Sequence, residues 1–190
     1  ALVVAETFEQ ARDAAKHLSV SYRVDDDAAF DPEAVEAETK DGATSQGDLA
    51  HAMKQAAASV DLTYRTEGHS SAAMEPHAAI AQWDGATLTV YASLQMLNYN
   101  ISELADSLGL DEDKVRLVSR YVGGGFGSKL GISEETVAAS VAAMKLERPV
   151  RVAMLRQQVL QCIMRRSETR QRFRLAAGED GKLTGFGHEA

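Results

Sequence analysis

Four glycines in five residues, in the run Gly123-Gly124-Gly125-Phe126-Gly127, constrain this chain more than any other feature. They follow the β-branched segment Val115 to Val118 and precede an alanine-rich helical pattern that starts near Ser133. Glycine carries no Cβ, so such a loop lets backbone approach a neighbour closely and frees φ. A large bound group is the usual reason to leave so much backbone bare. A phosphate-bearing cofactor is the natural candidate, because a helix entrance offers free N–H donors and a positive dipole end. Packing alone is the competing explanation, since isolated glycine motifs are weak signals.

Two nucleotide motifs are excluded by spacing. A phosphate loop needs lysine directly after its last glycine, then a hydroxyl for magnesium. Here Ser128 intervenes and Leu130 stands at the hydroxyl position. A dinucleotide G-x-G-x-x-G fails as well. Counted from Gly123 the sixth residue is Ser128, and counted from Gly125 it is Leu130.

The chain has 190 residues, 45% hydrophobic and 25% charged, which suits a globular core and argues against disorder. No apolar run approaches the roughly 20 residues that span a bilayer, so a soluble chain is expected. One cysteine, Cys162, leaves no room for an internal disulfide or an iron–sulfur cluster held by this chain. Net charge is −8, unevenly spread: residues 145–182 hold ten Lys/Arg and four acids, +6 locally against −14 elsewhere. Arg170, Arg172 and Arg174 recur with period two, which reads as one face of a solvated strand. The aromatic interleaving of nucleic-acid readers is nearly absent.

No signal-peptide pattern opens the chain. A cytoplasmic location is the expectation, with a periplasmic one left open because residue 1 is not an initiator methionine. Segments 3–5 and 183–190 read as strands cut from a longer polypeptide.

Four helices are expected. Thr7 and Gln10 form a capping box ahead of Phe8, Ala11, Ala15 and Leu18. Asp48 opens a second helix carrying Leu49, Ala52, Met53 and Ala56. Asn100 with Glu103 caps a third, with Ile101, Leu104, Ala105 and Leu108 on its face and Gly109 as its stop. The fourth presents Val137, Val141 and Met144 and ends before Pro149. Strands are expected over 3–5, 19–24, 60–66, 78–83, 87–92, 115–120, 150–154, 169–175 and 183–187, with Asp84-Gly85 as a hairpin turn. Mixed hairpins and crossovers make the class α+β, with mixed sheets and flanking helices. Residues 25–47, acidic and containing Pro32 and Gly42, read as a linker.

Three further segments bear on function: Met74-Glu75-Pro76-His77 leading into a strand, the strand Thr89-Val90-Tyr91-Ala92-Ser93-Leu94 ending at Gln95, and Arg148-Pro149-Val150-Arg151 after the glycine loop. In this order and spacing they resemble the molybdenum-binding (molybdopterin-binding) large subunit of the xanthine dehydrogenase and aldehyde oxidase family. Val3 to Thr7, Val20-Ser21-Tyr22 and Gly47-Asp48 extend the likeness. It implies that residues 1–24 end a connecting, hammerhead-like domain and that 48–190 begin the cofactor-binding domain.

The resemblance also implies roles. Gln95 matches a glutamine whose amide hydrogen-bonds an oxo ligand on molybdenum. Gly124, Gly125, Phe126 and Gly127 match the loop beside the pterin, their N–H groups acting as fixed donors. Phe126 would pack by the pterin or the substrate funnel. Leu130 stands where purine-oxidising members carry a glutamate, so an aldehyde or another less polar substrate is expected. Glu75 and His77 suggest a metal pair, but two ligands are too few and His69 adds no standard spacing. They are read as structural, hydrogen-bonded inside the fold. Arg165 and Arg166 are read as solvated, and Glu134 and Glu135 as acids favoured at a helix start. No metal ligand and no catalytic residue is expected here, since the family's general-base glutamate lies far beyond residue 190. The implied activity is hydroxylation of an aldehyde or N-heterocycle with water-derived oxygen, and the chain alone is expected to be inactive. The implied cofactor is molybdopterin with molybdenum, in the cytosine dinucleotide form. A 2Fe-2S subunit and an FAD subunit, or fused equivalents, are the implied partners. A non-catalytic nucleotide- or ligand-binding domain is the alternative.

Overall fold

The computed structural model describes residues 1–24 and 44–190. Most of the expected linker, residues 25–43, lies outside the described residues. Two compact units are resolved: Ala1–Ala11 with Arg65–Thr169, and Arg12–Tyr64 with Arg170–Ala190.

The first unit is built on a four-stranded sheet of β3 (Ala78–Trp83), β4 (Leu88–Ala92), β5 (Val115–Val118) and β6 (Val150–Ala153), in the order β5-β4-β3-β6. β3 pairs antiparallel with both β4 and β6, while β4 and β5 are parallel. The hairpin at Asp84-Gly85 forms as expected. Gly85 takes a φ of 95°, and Asp84 Oδ1 accepts from the N–H groups of Ala86 and Thr87 at 2.9 and 2.7 Å. A parallel neighbour needs a crossover, and α3 (Leu97–Leu108) supplies it between β4 and β5. Together with α4 (Glu134–Leu146) it covers the core of Ala79, Ala81, Leu88, Val90, Leu104 and Val150.

The α4 face differs from expectation in part: Val137 and Met144 pack against the core as expected, but Val141 does not. Its buried residues are Glu135, Thr136, Ala139, Ser140, Ala142 and Ala143, whereas Val141 is exposed. Small side chains let the helix axis lie close to β3, and Val141 turns to an apolar groove that also includes Leu2 and Val4. Close approach outranks hydrophobicity here.

Helix α3 starts earlier than predicted. Met96, not Asn100, is its N-cap, and Asn100 lies buried within the first turn. Its amide donates to Glu103 Oε2 at 3.0 Å and to the Leu130 carbonyl at 2.7 Å. The i,i+3 pair is real, but it ties down a distant loop instead of opening the helix. Gly109 closes α3 in the left-handed conformation as expected.

Segments 3–5 and 19–24 are not strands. A β-prone run forms a strand only where a sheet edge is available to pair with it. The unit also contains α5 (Arg156–Cys162) and a two-residue pair, β2 (His69–Ser70) with β7 (Arg165–Arg166), none of which the sequence signalled. Arg165 and Arg166 are exposed, as read, and His69 faces Arg166 and not the Glu75–His77 segment.

The second unit holds α2 (Leu49–Gln55) and most of the sheet β1 (Ala58–Thr66), β8 (Thr169–Ala177), β9 (Leu183–Glu189), in that order. Asp48 caps α2 by accepting from His51 N–H at 2.9 Å. Two of the period-two arginines are partnered across the sheet. Arg172 makes a bidentate contact to Asp61 on β1 at 2.6 and 2.7 Å, and Arg174 pairs with Glu189 on β9. This is strand chemistry, in keeping with the solvated-face reading. Helix α1 (Phe8–Lys16) carries the expected Thr7–Gln10 reciprocal bonds, both 3.2 Å, and buries none of its residues. No helix among the described residues is long and apolar enough to cross a membrane.

Candidate functional site

Ser93-Leu94-Gln95 follow the end of β4, and residues 119–122 lead from β5 to the glycine loop; because the two strands are adjacent and parallel, both tails leave the same end of the sheet. This topology brings residue 95 to residues 123–129. Gln95 N–H donates to the Lys129 carbonyl at 2.8 Å. Its side-chain Oε1 accepts from the N–H groups of Gly127 at 3.2 Å and Lys129 at 3.3 Å. Two donors on one atom identify that atom as the oxygen. The amino end of the amide is thereby turned away from the loop, and Gln95 is exposed.

The glycines have local reasons. A Cβ on Gly125 would overlap Gln95 Oε1, and one on Gly123 would stand 2.6 Å from Glu75 Cβ. Gly124 and Gly127 both take a φ of 94°, a region open to glycine. Phe126 takes φ 52°, which costs a residue with a Cβ about 1 kcal/mol, and its ring is 68% exposed. Ser128 closes the turn, donating from N–H and Oγ to the Gly125 carbonyl at 3.0 and 2.8 Å. Ser71 Oγ donates to the Phe126 carbonyl at 3.2 Å.

Two expectations change. The loop is not at a helix entrance, because residues 128–133 separate it from α4; the helix-dipole argument therefore does not apply to it. Gly127 is not a free donor either, since its N–H is committed to Gln95. The N–H groups of Gly124, Gly125 and Phe126 take no partner among the described residues.

Beneath the loop lies a polar cluster that sequence reasoning missed. Lys129 is 0% exposed, and its Nζ lies 2.6 Å from Glu75 Oε2 and 3.2 Å from Ser93 Oγ. Glu75 Oε2 also accepts from Ser93 Oγ and from Gly123 N–H, both at 2.7 Å. One carboxylate oxygen therefore holds the loop at both ends. Arg156 donates to the carbonyls of Ala73 at 2.7 Å and Met74 at 2.8 Å, fixing the strand of backbone that carries Glu75. His77 is 2% exposed and donates from Nε2 to the Ser128 carbonyl at 3.0 Å. Glu75 and His77 are thus hydrogen-bonded inside the fold, as read. Leu130 is 37% exposed beside Gly127, and its carbonyl is held by Asn100. Glu134 and Glu135 occupy the first turn of α4 as expected.

Burial pushes the Glu75 carboxyl up, but the bonds from Lys129, Ser93 and Gly123 outweigh it and hold it below the ordinary 4.5. A lowered folded-state value contributes stability above the unfolded value, and that contribution is lost as pH falls through the folded one. Below pH 4.5 the wild type should therefore lose stability that Glu75→Gln never had. Urea midpoints at neutral pH and at about pH 3.5 check this. A constant gap between the two proteins across that range would refute it.

The sequence pattern of the molybdopterin cofactor-binding domain matches residues 31–190. The chain belongs to that family. It is similar to the aldehyde oxidoreductase molybdenum-binding subunit PaoC of Escherichia coli K12, 40% identical over 194 residues, covering 100% of this chain and 26% of that protein. It is also 31% identical over 138 residues to the nicotinate dehydrogenase large molybdopterin subunit of Eubacterium barkeri, covering 72% of this chain and 32% of that subunit. The chain thus spans about a quarter of the length of the first of these relatives. Among solved structures, the fold matches quinoline 2-oxidoreductase from Pseudomonas putida 86 with a TM-score of 0.82 at 24% identity, over 97% of this chain and 25% of that one. Aldehyde oxidoreductase from Desulfovibrio gigas matches with a TM-score of 0.70 at 25% identity, over 75% of this chain and 16% of that one. The parent family comprises molybdopterin-dependent oxidoreductases of the aldehyde oxidase and xanthine dehydrogenase type, and the α+β class is confirmed.

Proposed function

We propose that this chain forms one wall of the molybdenum–pterin site in an oxidoreductase that hydroxylates an aldehyde or N-heterocycle. The observation that carries the reading is the orientation of Gln95. With Oε1 held by Gly127 and Lys129, the amide keeps its N–H donors off those two bonds, and they and the N–H groups of Gly124, Gly125 and Phe126 take no partner among the described residues. These are neutral donors on a bare backbone, which fits an anionic pterin group carrying oxo ligands, because they stabilise negative charge without adding positive charge. When bound, that group supplies a two-electron redox centre for adding water-derived oxygen to carbon. Gln95 orients it, the loop backbone donates to it, and Phe126 shields one side with its ring. Catalysis also requires a proton acceptor, which the family resemblance places in a later part of the polypeptide; the chain alone is predicted to be inactive.

Residues 48–190 are assigned to the start of the cofactor-binding domain, and 1–24 to the end of a connecting domain. The cytosine dinucleotide form of the cofactor is carried over from the resemblance. Electrons must leave the site, and a lone exposed cysteine, Cys162, cannot hold a cluster. A 2Fe-2S subunit and an FAD subunit, or fused equivalents, are the proposed partners, carried over from the resemblance and in keeping with the relatives named as subunits.

Metal and pterin analysis of the full-length protein, purified with its partners, is the first test. About one molybdenum per chain is expected, on the one-site reading of the family. Absence of both metal and pterin would overturn it.

Leu130 sets the substrate prediction. An apolar side chain beside the loop cannot hold a purine ring by hydrogen bonds, so native enzyme should favour an aromatic aldehyde over hypoxanthine. Leu130→Glu should lower kcat/KM for the aldehyde by about tenfold or more, because it puts an unpaired charge where an apolar group must pass. Strong purine turnover by the native enzyme would sink this assignment.

A further inference from the structure

We propose that the Glu75–Ser93–Lys129 cluster is a positioning clamp that sets the spacing between Gln95 and the loop donors, and so tunes the bound cofactor without touching it. This rests on the cofactor-wall reading above.

The argument starts from connectivity. Glu75 Oε2 receives three donors: Gly123 N–H at the loop entrance, Lys129 Nζ at its exit, and Ser93 Oγ two residues before Gln95. Ser93 Oγ is in turn bonded by Lys129 at 3.2 Å. The three backbone segments that build the wall, 73–77, 93–95 and 123–129, therefore meet at one carboxylate. Lys129 does more than neutralise it. Its N–H and carbonyl bracket Gln95, donating to Oε1 and accepting from the Gln95 N–H. A movement of the ammonium end is transmitted along the same residue to the amide that faces the cofactor.

A packing role alone would not need this arrangement. A Cβ on Gly123 would meet Glu75 Cβ at 2.6 Å and one on Gly125 would overlap the Gln95 amide, so the loop seats with its backbone directly against both side chains. Phe126, in its left-handed conformation between Gly125 and Gly127, is held where it is by that seating. Both ends of the segment are fixed by charge-assisted bonds, which are shorter and more directional than neutral ones.

The test uses the full-length enzyme with its partners, in Ser93→Ala and Lys129→Met. Ser93→Ala removes one hydroxyl and is expected to fold normally, so it decides the matter even if Lys129→Met does not accumulate. Three readouts are taken: molybdenum and pterin content, the electron paramagnetic resonance spectrum of the partly reduced metal, and kcat with KM. The clamp predicts near-native cofactor content, a shifted spectrum, and a fall in kcat of about three- to tenfold for Ser93→Ala and more for Lys129→Met, with KM changing less. Variants that carry full cofactor and reproduce the wild-type spectrum and kcat would overturn the clamp while leaving the cofactor wall intact. Wild-type enzyme without molybdenum or pterin would overturn the wall itself.

Discussion

Gly125→Ala is expected to leave the protein folded and the full-length enzyme crippled. An added Cβ would stand 2.5 Å from Gln95 Cδ and 3.0 Å from its Cγ, and would overlap Oε1; real Cβ atoms essentially never come nearer than 3.0 Å. The obstructing atoms are the tip of a flexible, exposed side chain, so Gln95 swings aside and the backbone stays. That movement breaks the two bonds that Oε1 accepts, at about 1 kcal/mol each, which the fold survives. The function does not. An amide aimed by two backbone donors becomes an untethered one, and loss of a pre-organised donor costs about 100- to 1000-fold in kcat where it has been measured. Gly123→Ala offers the contrast. Its Cβ would meet Glu75 Cβ at 2.6 Å, near the backbone, where nothing can swing away. That variant should lose stability first. Thermal unfolding set beside kcat for the two variants separates the cases, and a Gly125→Ala enzyme with wild-type kcat would remove Gln95 from the site.

Glu75→Ala should destabilise the fold far more than Lys129→Met, although the two residues form one ion pair. The asymmetry comes from burial. Lys129 has no exposure, whereas the Glu75 side chain keeps 36%. Without Glu75 the ammonium retains only the hydroxyl of Ser93 and a long contact to the residue 75 carbonyl, in a place water does not reach. Stranding a buried charge costs about 3–5 kcal/mol. Without Lys129 the carboxylate still accepts from Ser93 and Gly123 and is partly solvated, so the cost should be nearer 1–2 kcal/mol, that of a lost charged hydrogen bond. Chemical denaturation of both variants at neutral pH is the measurement. Equal losses, or the reverse order, would show that the pair is not arranged as described.

Much of this site was legible before any coordinates. The loop stands out in the sequence as a cluster of bare backbone, while the role of Gln95 comes from the family resemblance. The structural reading of Glu75 and His77 followed from ligand arithmetic, since two donors do not make a metal site. Lys129 left no such trace. A lysine between Ser128 and Leu130 looks like any surface cation, and only its partner 54 residues away makes burial tolerable. Arg156 is similar, being bound to carbonyls more than 80 residues distant. Only part of the buried face of α4 is legible, for a related reason: hydrophobic periodicity finds Val137 and Met144, whereas a helix pressed against a sheet also selects small side chains.

Local chemistry determined the turns, the caps at Thr7, Asp48 and Gly109, and the shared face of the period-two arginines, because each depends on neighbours within a few residues or on a period along one element. Tertiary structure alone decided which strands found a partner, which lysine could be buried, and what the glycines make room for. Those outcomes turn on distances between segments remote in the chain, and no spacing along the chain records them.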